Sequence, residues 1–193
     1  MNKIIRYADV EMRMMENEDN VVVGVPIVFN RSTDLGWFTE EIDSHALDGA
    51  DMTDVVLTMN HDPNIVLART TNGSLQFDIR NDDVFQISKI IDTTQGNDAV
   101  KLVRAGLVNK MSFAFTVDEN GEEWRSSPDG KEHRIITRIG KLFDFSLVTY
   151  PAYPQTSAYA RGYTDELAEA HKALIERRKA QDEKLKEILH GTE

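Results

Sequence analysis

Three polar residues interrupt apolar runs of this chain, and their types are those of an acyl-transfer centre. In "VVLTMNHDPNIV" (55–66) the apolar residues Val55, Val56, Leu57 and Met59 stop at Asn60-His61-Asp62-Pro63-Asn64. Asn, Asp and Pro are turn formers, because they hydrogen-bond their own backbone or fix φ. His61 adds nothing to a turn that another polar residue would not. In "NKMSFAFTV" (109–117) Ser112 sits inside an aromatic strand, on the face opposite Met111, Phe113 and Phe115. In "LFDFSLV" Asp144 lies between Phe143 and Phe145, although Asp is a poor strand former. A serine hydroxyl is a weak nucleophile until a base removes its proton. Imidazole titrates near neutral pH and suits that task, and a carboxylate can orient the ring and stabilise its protonated form. Each residue also has a plain alternative. His61 can be an exposed turn residue, and Ser112 and Asp144 can face solvent from a strand. Residue type alone leaves these open.

Other reactive groups are poorer candidates. Ser32, Ser74, Ser126 and Ser127 fall in turns. His45 is expected to be packed or half-buried on the apolar side of a short helix over 38–46, and His133 to begin a strand after "PDGKE". His171 and His190 fall on a charged, solvated helix. His61-Asp62 has no third, suitably spaced ligand, so no metal is expected, and no cofactor either. The absence of cysteine removes disulfides, thiolate zinc sites and cysteine nucleophiles together and fits a reducing cytoplasm.

The elements that must hold these groups are mostly strands. The chain has 193 residues, 40% of them hydrophobic, and a formal charge of −11. That composition supports a core and argues against phosphate-backbone binding, so no nucleic-acid partner is expected. No run approaches the roughly 18 apolar residues of a membrane span, and the N-terminus lacks the apolar stretch of a secretory signal. The expectation is a soluble, acidic, intracellular protein.

"YADVEMRM" alternates with period 2, "VVVGVPIVF" is continuously apolar with Gly24 and Pro26 hinting at a bulge or an edge, and Asn72-Gly73 reads as a hairpin turn. "VFQISKII", "KMSFAFTV", "HRIITRI" and "KLFDFSLVTY" are further strands, with Asn120-Gly121 and Asp129-Gly130 marking a loop. About eight such runs separated by turns suggest a closed or nearly closed sheet. Helices are expected in "NDAVKLVRAGLV", capped by Asn97 and ending near Gly106, and over 38–46 through Phe38, Ile42 and Ala46. Residues 164–193 read as a long charged helix whose thin apolar stripe suits a partner helix better than its own domain. The fold class is therefore α+β, mainly β. Residues 1–155 form the compact domain, 156–163 a linker and 164–193 a projecting arm.

"NHDP", "GLVNKMSFAF" and "KLFDFSLVTYPAYPQT", in that order over roughly residues 5–160, resemble the prohead proteases of tailed bacteriophages, which are similar in fold to the herpesvirus assemblins. The stretch "GVPIVFNRSTDLGWFTEEIDSHAL" fits the same resemblance. It implies a serine endopeptidase on a compact assemblin-like β-barrel wrapped by a few helices. It carries the catalytic histidine to His61, the nucleophile to Ser112, and the acidic member to Asp144, where many members have Glu. His133 stays open as a third member, since assemblins use a second histidine. The implied substrates are scaffold, extensions of the major capsid protein and the chain itself, within an assembling prohead in the host cytoplasm. Self-association would run through the C-terminal helix. The alternative from another class is an inert scaffolding protein on the same fold, binding capsid protein through that helix.

Overall fold

The computed structural model describes residues 4–8, 13–14, 20–126 and 130–149. The strands are β1 Ile4–Ala8, β2 Arg13–Met14, β3 Val21–Val28, β4 Thr33–Asp34, β5 Phe38–Ile42, β6 Val56–Met59, β7 Asp62–Arg69, β8 Leu75–Ile79 and β9 Asp83–Lys89. After helix α1, Thr94–Arg104, come β10 Lys110–Val117, β11 Glu122–Ser126, β12 Glu132–Ile136 and β13 Ile139–Val148. They form three sheets, ordered β1-β10-β13-β6-β7, β11-β12-β5-β4 and β2-β3-β9-β8.

The apolar runs explain the core. β10 and β13 are buried along most of both faces, and their Met111, Phe115, Leu142, Phe145 and Leu147 are fully covered. Phe113 stacks on Phe115 at 5.1 Å, and Phe77 of β8 meets Phe145 edge-on at 5.5 Å. Each such side chain contributes roughly 1.5–3 kcal/mol by leaving water. The continuous valines of β3 are buried as well, and the bulge expected from Gly24 and Pro26 falls between Gly24 and Ile27. Asp51 ties the β5–β6 connection to β13: its carboxylate accepts from Lys141 Nζ at 2.7 Å and is held well below the usual carboxylate range, chiefly by that bond.

Several expectations are corrected. The fold is mainly β, but the described strands do not close into a barrel, because each sheet ends on two edge strands and closure needs first and last strands to pair. Residues 38–42 are a strand with alternating burial rather than a helix, and His45 follows in a turn, its ring largely exposed. Asn72-Gly73 does not close a hairpin. β7 and β8 belong to different sheets, joined by a 3₁₀ turn, Thr70–Asn72, that ends on Gly73 at φ 73°. "HRIITRI" is also divided between two sheets, as β12 and the start of β13. β4 and β11 were not anticipated. The helix expected over 164–193 and the linker lie outside the described residues.

α1 starts earlier than expected. Thr93 caps it by accepting from Gly96 N at 3.0 Å, whereas Asn97 reaches back to Asp92, and Leu107 lies beyond the helix and exposed. A Cβ on Gly96 would meet the Ile91 carbonyl oxygen at 2.3 Å. Gly96→Ala should therefore lower stability by about 1–3 kcal/mol, despite alanine's better helix propensity. A denaturant midpoint at or above wild type would contradict that steric account.

Candidate active site

The β6–β7 turn consists of only two residues, Asn60 and His61, at φ 50° and 57°. Positive φ at both central positions is the geometry of the tight hairpin turns that match strand twist. The strand resumes at Asp62 and runs through Pro63 in β7, at the sheet's edge, where a missing N–H is tolerated. His61 is thereby placed at the end of β6, beside β13.

β10 and β13 supply the other two groups. They pair antiparallel with Ser112 opposite Ser146 and Ala114 opposite Asp144. Ser112 and Asp144 are thus diagonal neighbours on one face, at roughly 7–8 Å, too far apart for their short side chains to meet. The imidazole fills the gap. His61 Nδ1 lies 2.6 Å from Asp144 Oδ1 and Nε2 lies 2.5 Å from Ser112 Oγ. An ionised carboxylate only accepts, so in the neutral ring Nδ1 carries the proton and Nε2 accepts from the Ser112 hydroxyl. The site is buried: Ser112 is fully covered, and the His61 and Asp144 side chains are 7% and 4% exposed. The solvent-facing alternative for Ser112 and Asp144 is therefore wrong, because β10 and β13 bury this face too.

His133 lies elsewhere. It is on β12, in another sheet, where Nδ1 is 2.7 Å from Thr39 Oγ1 and Nε2 is 3.6 Å from Glu41. Lys110, two residues before Ser112, is partly buried, and burial holds its ammonium below the ordinary lysine range. His171 and His190 lie outside the described residues. In the sequence Asn60 reads only as a turn former, and Ser146 has no role of its own. Asn60 accepts from Thr149 N through its side chain at 3.1 Å, and Ser146 Oγ accepts from His61 N at 2.8 Å. The signal for Ser146 was its place two residues beyond Asp144, hence on the same strand face.

A serine bonded to an imidazole that a carboxylate holds in turn is the arrangement of serine hydrolases. The chain belongs to the caudovirus prohead serine protease family, whose model matches residues 8–170. That makes it a serine protease of phage capsid maturation. Among solved structures, the capsid assembly protease of bacteriophage T4 is similar at a TM-score of 0.45 and 11% identity, over 76% of this chain and 96% of that one. No curated protein gives a significant match.

Proposed function

We propose that Ser112 is the nucleophile, His61 the general base and then acid, and Asp144 the orienting carboxylate of an endopeptidase. Its substrates are scaffold and extensions of the major capsid protein, and the chain cleaves itself. The observation that carries this reading is the Ser112–His61–Asp144 hydrogen-bonded chain, assembled from β10, β13 and the β6–β7 turn in a family of serine proteases.

Ser112 Oγ attacks the scissile carbonyl as its proton passes to Nε2, and Asp144 stabilises the imidazolium. Nε2–H then protonates the departing amine. A water molecule, deprotonated by the same nitrogen, releases the acyl group from Ser112. Burial strengthens the His61–Asp144 attraction, since the local dielectric is below that of water. Because Ser112 is fully covered, a substrate carbonyl reaches it only after a local opening.

A fluorophosphonate should label the protein once, on the peptide containing Ser112, and His61→Ala should block labelling. Labelling of a different serine, or undiminished labelling of His61→Ala, would refute the assignment.

The working place of this enzyme is the interior of the assembling prohead in the host cytoplasm. No helix among the described residues is long and apolar enough to cross a membrane. The arm at 164–193 serves self-association or recruitment, because its sparse leucines suit a helical partner. Deleting residues from Thr164 onward should leave the melting temperature of the remaining domain within a few degrees while prohead co-purification is lost. A large fall in melting temperature with incorporation unchanged would reverse that division of labour.

A further inference from the structure

The turn carrying His61 is fastened to β13 by more than its ring. The His61 main-chain N–H donates to Ser146 Oγ at 2.8 Å, and that buried hydroxyl lies 3.2 Å from the Thr58 carbonyl and 3.4 Å from the Leu147 carbonyl. A hydroxyl has one proton. Ser146 therefore accepts from His61 and donates to one carbonyl, of which Thr58's, on β6, is the nearer. Asn60 adds two ties, one to this strand and one to the residue just beyond its end. Its N–H donates to Leu147 O at 2.8 Å, and its side-chain oxygen accepts from Thr149 N at 3.1 Å. Ser146 and Asp144 project from the same face of β13, so one strand grips His61 twice, at the ring and at the main chain.

We propose that Ser146 is a positioning residue, whose hydroxyl holds His61 in the backbone conformation from which Nε2 reaches Ser112. The proposal rests on the reading of His61 as the catalytic base. Left-handed φ is unfavourable for a residue with a Cβ, and the turn's own closing hydrogen bond does not use the His61 N–H. Without the hydroxyl, that N–H loses its acceptor in a part-buried place, and the turn relaxes towards one that restores a partner. The imidazole then leaves the line between Asp144 and Ser112. A misplacement of about 1 Å in a reacting group costs on the order of 100-fold in rate.

The test compares Ser146→Ala and Ser146→Thr in the full chain. Fluorophosphonate labelling of Ser112 is resolved into kinact and KI, and hydrogen exchange is followed at the His61 main-chain amide. Ser146→Ala should lower kinact roughly 10–100-fold with KI little changed, and should speed exchange at His61. Ser146→Thr keeps the hydroxyl and should recover most of the rate. A role in packing alone predicts the reverse order, because a fully buried site accepts alanine more readily than threonine. That order, or a folded Ser146→Ala with wild-type kinact and wild-type protection at His61, would overturn the proposal. Should threonine fail to fold, the exchange at His61 in Ser146→Ala decides alone. His61→Ala is the control: if it labels as wild type, the catalytic reading has failed. If it is silent while Ser146→Ala labels normally, only the positioning role is lost.

Discussion

Ser112→Ala should leave a folded protein that no longer cleaves. Co-expressed with its proposed capsid-protein substrate and read by intact mass, wild type should yield shortened capsid protein and a shortened protease. The variant should leave both at full length. The expected loss is on the order of 10⁴–10⁶-fold in turnover, or roughly 5–8 kcal/mol of transition-state stabilisation. The effect is large because the proposed nucleophile has no cysteine to stand in for it, and Ser146, the serine opposite Ser112, directs its hydroxyl to main-chain groups. His61→Ala should be equally inert. The double variant should be no worse than either single one, because members of a catalytic unit are not additive. The fold should survive, since Ser112→Ala replaces a hydroxyl in a strand held by flanking aromatics. Full-length wild-type chains, or shortened products from the Ser112→Ala strain, would contradict this account.

The three residues of the candidate site stood out because they break an apolar pattern, and the resemblance to the prohead proteases is what joined them into one site. Ser112 and Asp144 are polar insertions in strands that bury both faces, and His61 ends a strand whose Leu57 is fully covered. Strands β3, β9, β10 and β13 were legible for the same reason, as continuous or alternating apolar runs. What escaped was whatever depends on distant partners. Phe38, Ile42 and Ala46 recur every four residues, which satisfies a helix and a strand equally, because four is a multiple of two and close to 3.6. The deciding residue was Glu40, which an alternation test counts as surface. It is buried because Arg134 Nη1, on the neighbouring β12, donates to it at 2.9 Å.

The Asn72-Gly73 signal was locally sound, since Gly73 does adopt positive φ, but a left-handed residue does not specify which strand comes next. Closure of a barrel is likewise invisible in turn spacing, which is the same for one closed sheet and for three open ones. Asn60 and Ser146 illustrate the limit most directly. Their partners lie more than eighty positions away in sequence, so composition and period cannot show what they hold.

Asp144→Asn is the sharper test of the site, because it changes a charge while sparing the shape. Asparagine at this position can present its amide oxygen or its amide nitrogen to His61 Nδ1. If the nitrogen faces the ring, it donates to Nδ1, and the neutral imidazole must then place its proton on Nε2, where it can no longer accept from Ser112. In either orientation the negative charge opposite the imidazolium is lost from a site only a few per cent exposed. Loss of the tautomer and of the charge together is expected to lower turnover on the order of 10⁴-fold, with the melting temperature close to wild type. Asp144→Glu should retain much of the activity if β13 yields enough to accept one more methylene, because the carboxylate would still meet Nδ1. His133→Ala should cleave normally, since its ring lies against Thr39 and Glu41 on another sheet. These variants separate the two histidine arrangements in one assay of capsid-protein cleavage. An active Asp144→Asn beside a dead His133→Ala would transfer the third position to His133, and would mean that the 2.6 Å contact between His61 and Asp144 serves the fold rather than the chemistry.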